Sequence, residues 1–455
     1  MTEDLFIGID IATENVRAVA IDSTGKSFAH ATSALSKVMP AVDKRLTQDP
    51  KSWITAVGDV LIQIGKSLGN TGKAAKALTI SATSGTFVIT NIDGEPIADA
   101  AMYNDGRSSS ILGRAEKIIA EGNNSDSYYY LANTPEFVIA YLSNSKVTQI
   151  SSDTSHSLKI GVDLEKISYT TDVVSKADSL NLKLPKLVLP GQKLASLSKE
   201  LADKFGLPQI PIFAGMTDGC TAQISAAGAS GSVTSLGTTM VIKAAGNKNI
   251  KGSSFYSHLL PKGKYLAGGA SNIGGISYKK FSADIDNWNQ KATQFGPASM
   301  VCYPLPAVGE RFPFLAANMI PLQSSKPTNE IEEYRAILEA IAFTERYSYE
   351  LLQQAGAQIS DQIFTVGGGG KSDLLSQIRA TVMNKQVVTM ANSGSDIGAA
   401  MLAYAATTCI DQDLAAGLTQ IKMPQTKVFN PDGREKDALE RNYQSFLQLT
   451  AEYKS

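Results

Sequence analysis

The sequence predicts an α/β protein built from two related lobes. Segments with the two-residue periodicity of strands, such as residues 6–10 and 16–22, alternate with amphipathic segments typical of helices, such as residues 50–68 and 108–120. A length of 455 residues exceeds one ordinary core and indicates two or three domains. The pattern that opens the chain also recurs about half a chain later, which favours two lobes of similar construction.

The first half begins as a mixed sheet. Residues 6–10 and 16–22 form a hairpin around a polar turn, and residues 78–81 and 86–92 add two further strands. A helical pattern also covers residues 194–205. Strands and helices are thus interleaved along this half.

The second half opens in the same way. Residues 232–236 and 240–244 are strand-like and flank a Gly-Thr-Thr turn. A long amphipathic helix over residues 331–355, a strand at 363–366 and a helix at 372–383 follow. Each half therefore presents a hairpin turn that bears glycine or hydroxyl groups.

The composition is that of a globular protein whose ligand is a small molecule. Apolar residues make up 43% of the chain, and the formal net charge is −1. So small a net charge provides no electrostatic field that would attract nucleic acid or an anionic membrane. No uncharged apolar run reaches about 18 residues, and the first ten residues lack the pattern of a signal peptide.

The cysteines and histidines do not indicate a disulfide framework or a metal cage. The three cysteines are widely separated and odd in number, so a reducing, cytoplasmic location is expected. His30, His156 and His258 share no ligand spacing, which favours structural or surface roles.

Two predicted turns have groups that suit phosphate and metal. Asp10 ends the first strand, and Thr13 and Arg17 follow it. A carboxylate beside turn amides and a hydroxyl can hold Mg²⁺ and face phosphate. The second turn consists of Gly237, Thr238 and Thr239. Each pattern alone is also that of an ordinary hairpin turn.

A run of four glycines precedes the predicted helix that starts near Ser372. The four are Gly367, Gly368, Gly369 and Gly370. Such a run lets a ligand approach the backbone at a helix N-terminus, where amide donors favour phosphate or purine. It is not a Walker A loop, because Thr365 stands where that motif needs glycine. The dinucleotide fingerprint fits poorly, because the run is unbroken and lies deep in the second half.

An acidic residue, Asp218, lies between the two halves in the segment Gly-Met-Thr-Asp-Gly. It follows a predicted strand at residues 210–214 and precedes a helix of small residues that starts near Cys220. The positive end of a helix favours an ionised carboxylate, which can accept a proton. The same position is also that of an N-cap aspartate.

Taken in order, these motifs resemble those of the FGGY family of carbohydrate kinases over almost the whole chain. The first phosphate motif of the family, Asp-x-Gly-Thr-x-x-x-Arg, is similar to residues 10–17, with alanine at 12 in place of glycine. The catalytic Gly-x-x-Asp motif matches residues 215–218, and the second phosphate motif resembles residues 235–239. The adenosine motif resembles residues 367–372, with serine at 372 in place of a common asparagine.

The sugar-site signature of the family, Trp-x-Asp-x-Arg, is similar to residues 103–107, with Tyr103 in place of tryptophan. The resemblance implies that Asp105 and Arg107, together with Ser84 and Asp218, grip or shape the sugar site. Asp105 and Arg107 could instead form a structural ion pair.

The resemblance implies two ribonuclease-H-like lobes of the actin and hexokinase type with a catalytic cleft between them. Residues 1–228 would carry the sugar and phosphate site and residues 229–455 the nucleotide site. ATP and Mg²⁺ are the implied cofactors, a small sugar is the implied partner, and a homodimer is left open. Asp218 would be the base and Asp10 would lie near the metal. The remaining motif residues would bind ATP: Thr13, Arg17, Gly237, Thr238, Thr239, Gly367, Gly368, Gly369, Gly370 and Ser372.

Four stretches narrow the resemblance to the plant and cyanobacterial D-ribulose kinases: residues 152–163, 256–258, 268–275 and 309–314. They imply phosphorylation of D-ribulose at its terminal hydroxyl to give D-ribulose 5-phosphate. We expect kcat/KM to favour D-ribulose over D-xylulose by about tenfold or more. The alternatives are a kinase for D-xylulose or for another ketose or polyol, and a nucleotide-dependent binding module of the same fold that transfers no phosphate.

Overall fold

The computed structural model describes residues 3–122, 128–260, 263–390, 393–409, 414–421 and 424–454. The chain divides into two compact units. The first comprises Met1–Ser225, His258–Gly263 and Gly394–Lys422, and the second comprises Ala226–Ser257, Lys264–Ser393 and Met423–Ser455. The α/β class predicted from the sequence is confirmed, since each unit is built on a mixed sheet with helices.

The first unit is organised by a six-stranded sheet. In spatial order its strands are Lys193–Ser196, Pro211–Phe213, Ala75–Ala82, Leu5–Ile11, Asn15–Ile21 and Ser27–Ala34. The last three form the opening antiparallel meander, whereas Ala75–Ala82 and Pro211–Phe213 run parallel to Leu5–Ile11. The carboxyl ends of these three parallel strands lie at one edge of the sheet, and Asp10 is at that edge.

The first unit contains a second sheet of six strands. In spatial order they are Leu182–Lys183, Tyr129–Asn133, Phe87–Thr90, Ala100–Ala101, Arg45–Gln48 and Met39–Val42. Two short ribbons pair Ser152–Asp153 with Leu187–Val188 and Val162–Asp163 with Ser168–Tyr169. The helices are Pro50–Leu68, Ile111–Glu121, Thr134–Ser143, Thr154–Gly161, Thr171–Ser179, Lys199–Phe205, Asp218–Ala227, Ser395–Thr408 and Leu414–Gln420, with 3₁₀ turns at Gly69–Ala74 and Val147–Gln149.

The helix Pro50–Leu68 has the bounds that the sequence predicts. Asp49 caps it by accepting a hydrogen bond from the Lys51 amide at 2.9 Å, and proline occupies the first helical position. The prediction for residues 194–205 was wrong at its start. Lys193–Ser196 pairs as an edge strand with Pro211–Phe213, and the helix begins only after Ser198, whose side chain caps Lys199–Phe205.

The segment after residue 393 packs with the first unit rather than with the second half of the chain. The helix Ser395–Thr408 lies on the central strand, where a Cβ atom at Gly8 would come within 2.0 Å of the Asp396 carbonyl oxygen. A Cβ atom at Gly398 would likewise come within 1.8 Å of the Thr221 carbonyl oxygen. Glycines on the helix and on the strand thus let the two backbones approach closely. The predicted lobe boundary after residue 228 assigned this helix to the second lobe.

The second unit repeats the strand arrangement of the first. Its sheet contains, in spatial order, Lys264–Ser271, Met240–Gly246, Ser232–Leu236, Gln362–Val366, Gln386–Met390 and Gln425–Phe429. The first three are antiparallel, and the next two run parallel to Ser232–Leu236. This is the order and sense of the meander and parallel strands in the first unit, so the predicted recurrence of the opening hairpin is confirmed.

The remaining elements of the second unit are mainly helical. The helices are Ile285–Phe295, Glu330–Gln354, Asp373–Met383 and Gly433–Leu449, with 3₁₀ turns at Gly275–Asp284, Gly368–Lys371 and Ala451–Tyr453 and a two-stranded ribbon of Cys302–Tyr303 and Leu322–Gln323. A further strand, Tyr256–Leu260, includes residues of both units. Each unit has its own apolar core. Among the helices that the structure describes, none combines the length and apolar character needed to cross a bilayer.

Candidate active site

Asp10 is a buried carboxylate at the end of the central strand of the first unit. Its Oδ2 accepts a hydrogen bond from Arg17 Nη2 at 2.6 Å, while its Oδ1 has no hydrogen-bond partner among the described residues. Burial raises the pKa of Asp10 to about 6, and the charges of Asp218 and Asp396 add to the rise, whereas Arg17 opposes it. Three carboxylates of this unit therefore act on one another, which favours a cation at this place.

Asp218 is the first residue of the helix Asp218–Ala227 and is partly exposed. Its Oδ1 accepts hydrogen bonds from the Gly219 amide at 2.7 Å and from the Thr217 hydroxyl at 3.1 Å. Its Oδ2 is contacted only by the Thr83 hydroxyl, at the longer distance of 3.3 Å, among the described residues. One oxygen is thus held by the protein, while the other retains capacity to accept a proton.

Two further residues of the first unit were predicted for this site. Ser84 lies one residue beyond Thr83, and its amide donates to the Thr217 hydroxyl at 3.3 Å. Its carbonyl oxygen accepts from Lys159 Nζ at 2.9 Å. Thr13 lies in the turn between the first two strands, where its carbonyl oxygen accepts from Gln48 Nε2 at 3.0 Å. The structure therefore places Ser84 beside the segment that carries Asp218, and Thr13 in the turn after Asp10.

Asp105 and Arg107 form a buried ion pair. Arg107 Nε donates to Asp105 Oδ1 at 3.0 Å, and Asp105 Oδ2 accepts from the Leu46 amide at 2.9 Å. The two side chains are only 0% and 6% exposed, and Arg107 also lies 3.5 Å from Glu121. Although burial alone raises the pKa of Asp105, the hydrogen bonds from Arg107 and the Leu46 amide bring it below its ordinary value. These contacts support the structural alternative for the pair.

The predicted phosphate turn of the second unit is held by backbone contacts. The Gly237 amide donates to the Thr239 carbonyl oxygen at 3.0 Å, which closes the turn. The Gly275 amide donates to the Gly237 carbonyl oxygen at 2.8 Å, and the Ile276 amide donates to that of Thr238 at 3.1 Å. A Cβ atom at Gly274 would lie 2.7 Å from the Thr239 carbonyl carbon, so a side chain there would displace the turn.

The glycine run divides into positions that face open space and positions that pack. Gly367 has φ = 90°, the left-handed region that favours glycine. Around a Cβ atom at Gly368 no described atom lies within 4 Å, whereas at Gly369 that atom would lie 2.4 Å from Leu236 Cγ. Gly370 makes looser contacts, the nearest being 3.3 Å from Thr365. A Cβ atom at Gly367 would lie 2.8 Å from the Leu236 carbonyl oxygen, so one side of Gly367 packs, but Gly367 and Gly368 are the two exposed glycines of the run.

Ser372 caps the helix Asp373–Met383 with its side chain, which accepts from the Leu375 amide at 3.3 Å. Its hydroxyl also lies 3.3 Å from Asn289 Oδ1, which accepts a second hydrogen bond from Tyr334 at 2.8 Å. Leu375 is completely buried, so its side chain offers no exposed face on which a purine ring could stack.

Reasoning from the sequence missed Asp396 and two residues that contact Asp218, Thr83 and Thr217. Asp396 lies in the first turn of the helix Ser395–Thr408, and its charge raises the pKa of Asp10. The turn-like segment Ser-Gly-Ser-Asp before a run of small residues is the signal that could have indicated it. Thr83 and Thr217 follow strands at the same sheet edge, which is the usual place for ligand-binding side chains.

A metal site made of protein ligands alone is not found among the described residues. Across the described residues, no group of three or more histidine, cysteine, aspartate or glutamate side chains is arranged to hold an ion. Mg²⁺, however, usually keeps several waters and binds through one or two carboxylates together with substrate phosphates. The unpartnered Oδ1 of Asp10, near two further carboxylates, fits that mode of binding.

Family models for the two domains of one kinase family match most of this chain. The N-terminal domain of the FGGY family of carbohydrate kinases matches residues 5–154, and the C-terminal domain matches residues 212–407. A protein named xylulose kinase from Lactococcus lactis is 22% identical over 87% of each chain.

Two solved structures share the fold at similarly low identity. A ligand-bound xylulose kinase from Lactobacillus acidophilus has a TM-score of 0.84 at 22% identity, covering 99% of this chain and 98% of the other. A gluconate kinase from the same organism also has a TM-score of 0.84, at 21% identity and the same coverage. Since proteins named for two different sugars match equally well, the fold alone does not select the substrate.

Proposed function

Because the chain belongs to the FGGY family of carbohydrate kinases, we propose that it transfers the γ-phosphate of ATP to the terminal hydroxyl of a ketopentose, with Asp218 as the base. Membership makes the chain a sugar kinase that uses ATP. The identity of the base, the metal and the sugar are the parts that the proposal adds.

The observation that carries the proposal is the unequal environment of the two oxygens of Asp218. Oδ1 is occupied by the Gly219 amide and the Thr217 hydroxyl, whereas within the part of the chain that the structure describes Oδ2 has only the distant Thr83 hydroxyl. In the proposed reaction Oδ2 takes the proton of the sugar hydroxyl as its oxygen forms a bond to the γ-phosphorus. The bond from that phosphorus to the bridging oxygen breaks, and ADP leaves.

The surrounding residues divide into three proposed roles. Asp10 would hold Mg²⁺, directly or through water, and the ion would offset the charge of the phosphates. The turns that contain Thr13 and residues 237–239 would bind phosphate through backbone amides and hydroxyls. Arg17 lies next to Asp10 with a half-exposed side chain, so it can reach phosphate while it remains paired.

The adenosine would bind at the glycine run of the second unit. Gly367 and Gly368 are exposed, and Ser372 begins the helix Asp373–Met383, whose N-terminus favours anionic or hydrogen-bonding groups. Gly369 and Gly370 would shape the turn. In the sugar site, Ser84 lies beside the base, and Asp105 with Arg107 would shape the wall rather than grip the ligand.

Two ketopentoses are candidates, and D-xylulose comes first because the cited relative and one cited structure are named xylulose kinase. D-Ribulose, predicted from the sequence, is the second. The observation that favours it is that residues 152–163, one of the four stretches similar to D-ribulose kinases, contact the segment of the base: the Ser155 hydroxyl accepts from the Thr217 amide at 2.9 Å. The two sugars differ only at the C3 hydroxyl, and one unpaired polar group at that position costs about 1–3 kcal/mol.

The test measures ADP release from ATP and Mg²⁺ with D-xylulose, D-ribulose, glycerol and gluconate. We expect release to depend on a ketopentose and to fall by about 10²–10⁴-fold in Asp218→Asn, which keeps the size of the side chain. A kcat/KM ratio of about tenfold or more selects one epimer. Release that needs no sugar would support the binding-module alternative, and a response only to glycerol or gluconate would refute the ketopentose.

A further inference from the structure

A fully buried polar cluster lies beside the segment that carries Asp218. It is formed at the start of the helix Thr154–Gly161, where Asp153 Oδ1 accepts from the Ser155 amide at 2.8 Å and from the Ser155 hydroxyl at 2.5 Å. Asp153 Oδ2 is hydrogen-bonded to His156 Nδ1. All three side chains are at most 3% exposed, so the cluster contacts protein and not solvent.

The cluster reaches the site through two hydrogen bonds. The Ser155 hydroxyl accepts from the Thr217 amide at 2.9 Å. Since the same hydroxyl donates to Asp153, its orientation is fixed for that second bond. On the other side, His156 Nε2 lies 3.2 Å from both backbone groups of Ala82, the amide nitrogen and the carbonyl oxygen.

Ala82 and Thr217 are bridged to each other as parallel neighbours at the sheet edge. The Thr217 hydroxyl oxygen lies 3.2 Å from the Ala82 carbonyl oxygen and 3.1 Å from Asp218 Oδ1, and these two acceptors share its one proton. The residues that follow these two are Thr83 and Asp218, whose side chains meet at 3.3 Å. The cluster therefore holds both chain segments one residue before Thr83 and Asp218.

We propose that Asp153, Ser155 and His156 are positioning residues that fix the Asp218 carboxylate relative to Thr83. The inference rests on the proposed role of Asp218 as the base. A base displaced by about 1 Å can lose about 100-fold in rate, so a rigid support behind it has a direct effect on turnover. The residues themselves touch no reacting atom.

The charges of the cluster agree with this role. Although burial lowers the pKa of His156, the charge and hydrogen bond of Asp153, with contributions from Glu136 and Asp218, leave it above its ordinary value. A protonated imidazole donates from Nδ1 to Asp153 and from Nε2 to the Ala82 carbonyl oxygen, whereas in a neutral ring Nε2 can accept from the Ala82 amide, so Nε2 contacts Ala82 in either state. Hydrogen bonds in such a satisfied buried network hold the groups that make them in fixed positions.

Two serines of the same helix provide a matched test. Ser155 and Ser157 are both buried, and alanine removes one hydroxyl from each. The Ser157 hydroxyl donates to Ser152 at 2.8 Å and accepts longer hydrogen bonds from Tyr169 and Asn133 at 3.3 Å, but no described contact joins it to Thr217 or Ala82. If the loss of activity came only from leaving the buried partners of a serine hydroxyl unpaired, it should be similar in Ser155→Ala and Ser157→Ala.

The first readout is steady-state kinetics with the preferred ketopentose. We expect Ser155→Ala to lower kcat by about 10-fold or more with an unchanged KM for ATP, and Ser157→Ala to leave kcat near that of the wild type. The second readout is hydrogen–deuterium exchange over residues 212–220, where only Ser155→Ala should increase exchange of the Thr217 amide. Asp153→Asn keeps the shape of the side chain but weakens the pair with His156, so it should behave as Ser155→Ala does. If Ser155→Ala does not fold, Asp153→Asn takes its place in both measurements.

Equal losses in the two serine variants, or wild-type kcat and exchange in Ser155→Ala, would overturn the proposal. The exchange measurement needs no turnover, so it tests the support of the Thr217 segment even if no sugar is phosphorylated. Failure of the wild type to release ADP with any sugar, or full activity in Asp218→Asn, would instead refute the proposed function.

Discussion

Two adjacent glycines of the second unit, Gly368 and Gly369, should respond oppositely to the same substitution. Alanine at Gly369 places a Cβ atom 2.4 Å from Leu236 Cγ, 2.5 Å from Cδ2 and 2.9 Å from Cβ. Leu236 is completely buried at the end of the strand that leads into the phosphate turn, so its whole side chain would have to shift. Alanine at Gly368 meets no described atom within 4 Å.

The size of the effect follows from the packing. Overfilling a closed core costs about 1–3 kcal/mol. In a domain of about 150–250 residues each kcal/mol lowers Tm by about 2–4 °C, so Gly369→Ala should lower the Tm of the second unit by about 2–12 °C. Gly368→Ala should leave Tm within about 2 °C of the wild type or slightly above it, because it removes freedom from the unfolded chain.

The assay combines thermal melts with the KM for ATP. If the adenosine binds at the exposed face, Gly368→Leu should raise the KM for ATP without changing Tm, while the KM for the sugar remains unchanged. Gly369→Ala should instead lower Tm. A wild-type Tm in Gly369→Ala would contradict the packing argument, and an unchanged KM in Gly368→Leu would contradict the nucleotide assignment.

Three further predictions concern buried charges. Burial raises the pKa of Glu136 to about 7 from 4.5, so the folded protein keeps a proton that the unfolded chain releases, and stability falls as the pH rises between these values. Glu136→Gln should remove this loss of about 3 kcal/mol, measured by urea unfolding at pH 5 and pH 8. If the unfolding free energies of the variant and the wild type changed with pH in the same way, the prediction would be contradicted. Asp105→Asn should lower the unfolding free energy by about 3 kcal/mol with little change in the KM for the sugar, because its partner Arg107 stays buried; a selective rise in that KM would restore the gripping role. Glu345→Gln should cost about 3–5 kcal/mol, measured by urea unfolding, since it leaves the guanidinium of Arg379 buried without its charge partner, and a loss below about 1 kcal/mol would show that water reaches the pair.

The sequence allowed the sheet of each unit to be predicted because its signals are local. Residues 6–10, 16–22, 232–236 and 240–244 alternate in the period of strands, and the structure has strands at each of them. The edge strand Lys193–Ser196 was missed because its short apolar pattern continues into the helix Lys199–Phe205, and only pairing with Pro211–Phe213 distinguishes the two.

The candidate site could be predicted less completely. The sequence motifs place three predicted residues at or just after the carboxyl ends of parallel strands: Asp10, Ser84 and Asp218. Because those ends meet at one sheet edge, the three residues come together in the first unit. Asp396 joins them from a segment 178 positions beyond Asp218. No periodicity signals such a contact, because it depends on glycines that let a helix approach the central strand.

The same strand arrangement presents different groups at the sheet edges of the two units, and this difference explains why we propose different roles for them. In the first unit the central strand ends in Asp10, and Asp218 and Asp396 raise its pKa further by their charge. Such a cluster suits a cation and a proton acceptor and would repel phosphate unless a metal ion lies between them. In the second unit the corresponding hairpin turn is Gly237 to Thr239, held by backbone hydrogen bonds and bearing no charge. Uncharged amides can approach phosphate without an intervening ion, so we expect removal of Mg²⁺ to abolish turnover while ATP retains measurable affinity for the second unit.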